Sequence, residues 1–368
     1  MSAKGVRVRF ADGRELLDGS SGLWNTNLGH GNEAIAQATS HALRDASYLS
    51  VFRYENAYAR QAAAALVDVC GAGHFGRVVF STSGGAANDL VMKLARHYQA
   101  LRGMERRKIV VGLRGGYHGL TFGGFALTGD DLGQQVYGVD QRLVRHVPPN
   151  DPAALRTLMA RVGGQVAAVV VEPVLGTGAV PLTAEYVDEL LRLREEHEFL
   201  LVADEVATGF GRTGRFFASE SWQERPDLLV TSKGLTNGTA AAAAVVVSRD
   251  VAAAFSRPGT LLMHGETQAG TPVSCAAILA TIDEMRRLDA IGLAQRLSAG
   301  LDAELDALIA GHDRVSRATG VGCMRSLRVV TDGETRFPRQ GCRPLWPRSV
   351  TRVRSCTRDC TASSCFRR

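Results

Sequence analysis

Lys233 in DLLVTSKGLTNG follows Asp204 in LLVADEVATGFGRTG by 29 positions. Each closes an apolar run of strand length, so both segments read as buried parallel strands that deliver a charged tip to the carboxyl edge of one sheet. An amine and a carboxylate then meet in one cleft. A lysine can form a Schiff base with an aldehyde, and a carboxylate can keep a pyridine nitrogen protonated so that the ring accepts electrons. That is the pair a pyridoxal phosphate enzyme requires. Taken singly, each residue also fits an ordinary paired or solvated strand end.

Other residue types at strand ends extend the pattern. Ser83, Gly84 and Gly85 in STSGGAAND carry a strand through two glycines into a helix, where free N–H groups make a natural phosphate cradle; a plain tight turn is the alternative. Tyr117 in GGYHG could cover one face of a planar cofactor and Val206, two residues beyond Asp204, the other. Glu172 in VVVEPVLG ends an apolar strand before a proline and reads as paired near the cofactor or as a capping carboxylate. Thr267 in HGETQAGTP is a loop hydroxyl able to reach a phosphate. His118 and His264 flank these loops. Both read as hydrogen-bonded structural residues without a catalytic role, His118 lying within the cofactor's surroundings. Trp24 in GLWNTNLGHGN is a candidate for substrate contact.

The elements that must position these residues follow from periodicity. The segment VRVRFADGRELLDGSSG predicts a hairpin turned by Asp12 and Gly13, followed by helices from about 32 to 45 and 58 to 69. RVVFS, KIVVGL, VAAVVVEP, FLLVAD and DLLVTS then alternate with helical patterns such as AEYVDELLRLREEHE, where Tyr186, Leu190 and Leu193 share a face. The expected fold is a mostly parallel, doubly wound α/β sheet with its ligand site at the carboxyl ends. Residues 275 to 309 predict a long helical stretch jointed near Asp289 to Gly292, and RVSRATGVGCMRSLRVV a turn and a strand of a smaller domain. The expected divisions are 1–50, contributing to the small domain and the active-site mouth; 51–290, the large cofactor domain; 291–341, a partial small domain; and 342–368, an aberrant tail.

Composition bounds the function. The chain has 368 residues, 45% hydrophobic and 22% charged, which suits a soluble globular protein without a membrane span or signal peptide and predicts a cytoplasmic place of work. Its net charge of +6 resides in residues 342–368, which hold seven Arg against Asp359 alone, so the neutral body argues against nucleic acid. Four of the seven cysteines (Cys342, Cys356, Cys360, Cys365) lie in the same tail at spacings that do not suit zinc.

Together, DGRELLDGSSGLWNTNLGHGN, STSGGAAND, YHG, VEPVLG, VADEVATGFGRTG, SKGL and HGETQAGTP closely resemble the class III, ornithine aminotransferase-like group of fold type I pyridoxal phosphate enzymes, over nearly all of residues 5 to 330. The resemblance implies Lys233 as the Schiff-base lysine and proton carrier, Asp204 on the pyridine nitrogen, Val206 and Tyr117 about the ring, and Gly84 and Gly85 on the phosphate. Thr267 would come from the neighbouring subunit of a homodimer. It implies amino transfer from a small-molecule donor to a ketone or aldehyde acceptor. An aminomutase, racemase or decarboxylase on the same fold is the alternative, and an inactive remnant a third reading.

Departures from the family pattern qualify this. Gly85 and Ala86 replace a hydroxyl and a carboxylate of the phosphate loop, and Thr177 stands where an acidic gate residue is often found. Residues Cys342 onward resemble nothing in the family; their Arg, Cys, Ser and Pro bias suggests a G+C-rich reading frame displaced by two nucleotides, which with suitable codons encodes an amphipathic helix, a turn and a strand. The surroundings of Trp24 and of STSGGAAND resemble aminotransferases of peptide natural-product (daptide-type) biosynthesis, which makes a peptide's terminal carbonyl a candidate acceptor.

Overall fold

A computed structural model describes residues 1–52 and 54–329. The tail from Cys342 lies outside the described residues.

Valine-rich runs build the centre. Val166–Val171, Leu200–Asp204, Leu228–Thr231 and Ala243–Ser248 are buried at every position, as strands covered on both faces must be. They belong to a seven-stranded sheet ordered 75–81, 243–248, 228–231, 200–204, 166–171, 109–113, 144–147. All neighbouring pairs are parallel except those of Ala243–Ser248, which runs antiparallel to both its neighbours. The expected mostly parallel, doubly wound fold is therefore present. The antiparallel strand AAVVVS and the short edge strand Val144–Val147 are additions to the sequence reading. An all-apolar run carries no sign of its direction, which is why the first was not legible.

Register fixes the site. Val171 pairs with Ala203 and Asp204 with Val230, so Glu172 leaves the sheet abreast of Asp204. The chain turns out of the sheet three residues after Val230, at Lys233. One carboxyl edge thus receives all three.

The flanking helices form where expected. Asn32 and Asn56 cap Glu33–Asp45 and Ala57–Gly71 by accepting N–H bonds three residues on. Ala184–His197 buries Tyr186, Leu190 and Leu193 on one face. Helices Pro272–Arg287 and Ala290–Gly311 meet at Asp289, the predicted joint. Two corrections apply at the margins. The N-terminal hairpin gains a third strand, Ser2–Lys4. The segment read as a turn and one strand is a two-stranded hairpin, Val315–Val321 with Met324–Val329, because Gly322, at φ +63°, makes the turn inside it rather than before it. This hairpin docks on the large body where Cys323 N–H donates to Arg212 O at 2.9 Å and Thr319 Oγ1 to Gly178 O at 2.7 Å.

Candidate active site

The Asp204 carboxylate is 2% exposed and accepts three hydrogen bonds. Oδ2 accepts from His118 Nδ1 at 2.7 Å and Asn88 Nδ2 at 2.9 Å, and Oδ1 from the Val206 N–H at 3.1 Å. Three donors fix its orientation in a buried environment. Burial pulls the His118 pKa down, but the Asp204 carboxylate outweighs it and the net shift is upward. Asn88, which the sequence reading passed over, was legible in principle: it lies one helical turn after Gly84 in STSGGAAND, on the face toward the sheet. Asn88 Oδ1 and His118 Nε2 are buried without a hydrogen-bond partner among the described residues.

Lys233 is one of four lysines in the chain, with Lys4, Lys93 and Lys108, and the other three are exposed. Burial lowers its pKa; Asp204 and Glu172 oppose this and Arg212 adds to it. Its Nζ stands 5.0 Å from the centre of the Trp24 ring. Both residues hold left-handed backbone, at φ +45° and +58°, a conformation that costs a lysine or tryptophan about 1–3 kcal/mol and persists only where packing enforces it. The enforcement is visible at Gly234, where a Cβ would come within 2.7 Å of Asn27 Nδ2 and 2.9 Å of Phe210 Cβ. Asn27 in turn donates to Phe210 O at 2.8 Å and accepts from Arg212 Nη2 at 2.5 Å.

Glu172 is buried and bridges two loops. Its Oε2 accepts the Tyr117 N–H at 2.9 Å and its Oε1 the Gly176 N–H at 3.0 Å, so the capping alternative describes its contacts. Burial raises its pKa to about 7, with His118 and the two N–H donors opposing.

Glycines bring the Ser83–Gly85 turn close to Val206 and to the loop that carries Tyr117. The helix Gly84–Leu101 is capped by Ser83, whose side chain accepts from Ala86 N–H, and its first N–H groups open toward the cleft. A Cβ on Gly84 would stand 3.1 Å from both Val206 methyls, and one on Gly85 would be 3.4 Å from Gly119 Cα. The Ser83–Gly85 turn is thus wedged between Val206 and the loop that carries Tyr117. Tyr117 is 42% exposed, leaving much of its surface open. Gly84→Ala is expected to displace Val206 and weaken cofactor retention by about tenfold, a moderate overpacking effect, which equilibrium dialysis of the purified variant checks.

Thr267 is not brought to this cluster within its own chain. It is exposed, and its carbonyl accepts from Tyr48 Oη at 3.0 Å.

Comparison with known proteins agrees with this geometry. The aminotransferase class-III family model matches residues 1–348. The chain belongs to the class-III aminotransferases. It is 31% identical to a putrescine–pyruvate aminotransferase of Pseudomonas aeruginosa over 91% of this chain and 77% of that one. Against an acetylornithine aminotransferase of Mycolicibacterium smegmatis it is 34% identical over 89% and 79%. Its fold superposes with a TM-score of 0.86 and 30% identity on a PLP-bound amine transaminase from an uncultivated Pseudomonas species, covering 90% of this chain and 80% of that one.

The cofactor of this class-III aminotransferase is pyridoxal phosphate, and the residues present fit it. A buried carboxylate faces the edge at which the one unexposed lysine arrives, and a glycine-lined helix start lies beside them. The reaction is amino-group transfer, and the mutase, racemase and decarboxylase alternatives are not favoured. No helix among the described residues is long and apolar enough to cross a membrane.

Proposed function

We propose that this aminotransferase carries an amino group from a primary amine donor to a ketone or aldehyde acceptor by way of Lys233. The observation that carries the reading is the convergence of the one lysine that is not exposed, half-buried Lys233, with a triply hydrogen-bonded carboxylate at one sheet edge. When bound, pyridoxal phosphate supplies an aldehyde for the lysine and an electron-accepting ring. Lys233 holds the cofactor, and once displaced by donor its amine moves a proton from the donor carbon. Burial and the Arg212 charge lower that amine's pKa, Asp204 and Glu172 opposing, and the net downward shift favours its work as a base. Asp204 pairs with the ring nitrogen, and His118 and Asn88 keep its carboxylate aimed. Tyr117 and Val206 flank the ring, and Ser83, Gly84 and Gly85 take the phosphate on backbone N–H groups.

Trp24, over Lys233 Nζ, is assigned to the substrate entrance. With Thr177 in place of an acidic gate, the substrate has no second carboxylate to be sorted, and relatives named for putrescine and for omega-amino substrates support an amine donor. A peptide-borne carbonyl, as in daptide-type natural-product biosynthesis, remains our candidate acceptor on the strength of the sequence around Trp24 and Ser83.

A homodimer is part of the proposal. Phe52, Phe122 and Met263 are 79%, 69% and 76% exposed, and with the exposed Val51, Tyr54 and Leu120 they are large apolar side chains of the kind that a second copy covers. Thr267 of one subunit would then serve the phosphate of the next. The divisions expected at 50 and 290 stand as part of the same reading, as does a cytoplasmic place of work, which the free thiols of Cys70, Cys275 and Cys323 support.

Mass-balanced product analysis with an isotopically labelled amine tests the reaction. We expect the label in a new amine and one carbonyl product per turnover; loss of carbon dioxide, or isomerised donor without an acceptor requirement, would refute transfer.

A further inference from the structure

Glu266 precedes Thr267 in HGETQAGTP, and none of the roles above uses it. Its carboxylate is tied to the end of the strand that runs into the phosphate cradle. Oε1 accepts from Ser81 Oγ at 2.5 Å, Oε2 from the Thr82 N–H at 3.0 Å, and Oε2 also accepts from Thr82 Oγ1. His264 Nε2 lies 3.4 Å from Oε1. Ser81 and Thr82 directly precede Ser83, the cap of the cradle helix. One carboxylate therefore joins the loop bearing Thr267 to the residues that set the cradle. Tyr48 Oη holds the other side of the loop through Thr267 O, while the exposed Thr267 hydroxyl makes no hydrogen bond among the described residues.

An acid beside a phosphate site is a cost unless its charge is taken up. Here three donors take it up: burial alone would raise the Glu266 pKa, but Ser81 and Thr82 outweigh it and hold the carboxyl low, so the group accepts all three bonds at neutral pH. A neutral residue of similar shape would satisfy fewer of them, since Thr82 N–H only donates.

We propose that Glu266 is a positioning residue for the cofactor phosphate: its carboxylate clasps Ser81 and Thr82, fixing the Ser83–Gly85 cradle of its own subunit and holding the Thr267 loop out toward the next. The proposal rests on the cradle reading above. It predicts an effect confined to the phosphate end of the ligand, which a general loss of folding would not produce.

The test compares binding of pyridoxal phosphate with binding of pyridoxal, which lacks the phosphate, by equilibrium dialysis of the full-length cofactor-stripped enzyme. Glu266→Ala is expected to weaken pyridoxal phosphate about tenfold, the scale of losing one or two charge-assisted hydrogen bonds, with pyridoxal affinity unchanged. Glu266→Gln restores part of the loss. Ser81→Ala, which keeps the carboxylate and removes one donor, repeats the selective loss at smaller size and serves if Glu266→Ala does not fold. Equal weakening of both ligands, or of neither, in Glu266→Ala and Ser81→Ala overturns the role of Glu266. If the parent enzyme itself binds pyridoxal as tightly as pyridoxal phosphate, the cradle reading falls and the Glu266 proposal falls with it.

Discussion

Lys233→Ala is expected to lower transamination by about 10⁴-fold or more, the upper range for removal of a positioned proton-transfer group, because covalent attachment is lost with it. The protein should stay folded. Lys233 sits in a short turn, Lys233–Thr236, rather than inside the sheet, and alanine gives up the Nζ contact with the Trp24 ring at 5.0 Å. The φ of +45° stays unfavourable for alanine, but the packing of Gly234 against Asn27 and Phe210 enforces it independently of the lysine side chain. Stopped-flow measurement of amine-to-carbonyl transfer on the purified variant checks the size. Rescue by added small amines would show that the missing part is the base itself, since an external amine can replace a proton carrier but cannot repair a misfolded site.

Asp204→Asn should be the second largest loss, about 10³-fold in kcat/KM, the scale reported by removing a preorganised charge partner at a reacting centre. The substitution is nearly isosteric, so the loss is electrostatic. The three donors that now meet a carboxylate would meet an amide, and one of them must turn away or face another N–H. His118 loses the charge that raises its pKa, so burial becomes the dominant influence and its pKa falls. The expected signature is a pH–rate profile whose acid limb moves, together with weaker retention of pyridoxal phosphate. An Asp204→Asn enzyme within threefold of the parent would mean that the carboxylate does not serve the ring nitrogen.

Legibility in the sequence tracked the kind of interaction. Asp204, Glu172 and Lys233 were readable because a charge at the end of a fully apolar run has few destinations other than a sheet edge. Their convergence then followed from parallel register. The strand-to-helix turn at Ser83–Gly85 was readable because two glycines follow an apolar run. Glu266 and Asn27 were not readable. Each acts through a partner 183 to 185 positions away, and a neutral or lone polar side chain in a loop carries no local mark of what it will meet. The antiparallel strand Ala243–Ser248 escaped for a related reason, since its residues are buried on both faces and give no alternation. His118 falls between these cases. Its place beside the cofactor residues was legible from GGYHG, but its bond to Asp204 depended on a loop conformation set by Gly115 and Gly119, at φ +76° and +113°.

The central claim is that Lys233 carries the cofactor, and four lysines in the whole chain make it directly testable. The enzyme reconstituted with pyridoxal phosphate is reduced with borohydride, digested and mapped by mass spectrometry. The account predicts a phosphopyridoxyl group on the peptide containing Lys233 and on no other. The same group on Lys4, Lys93 or Lys108, or an unmodified Lys233 in protein that retains the cofactor, would contradict it.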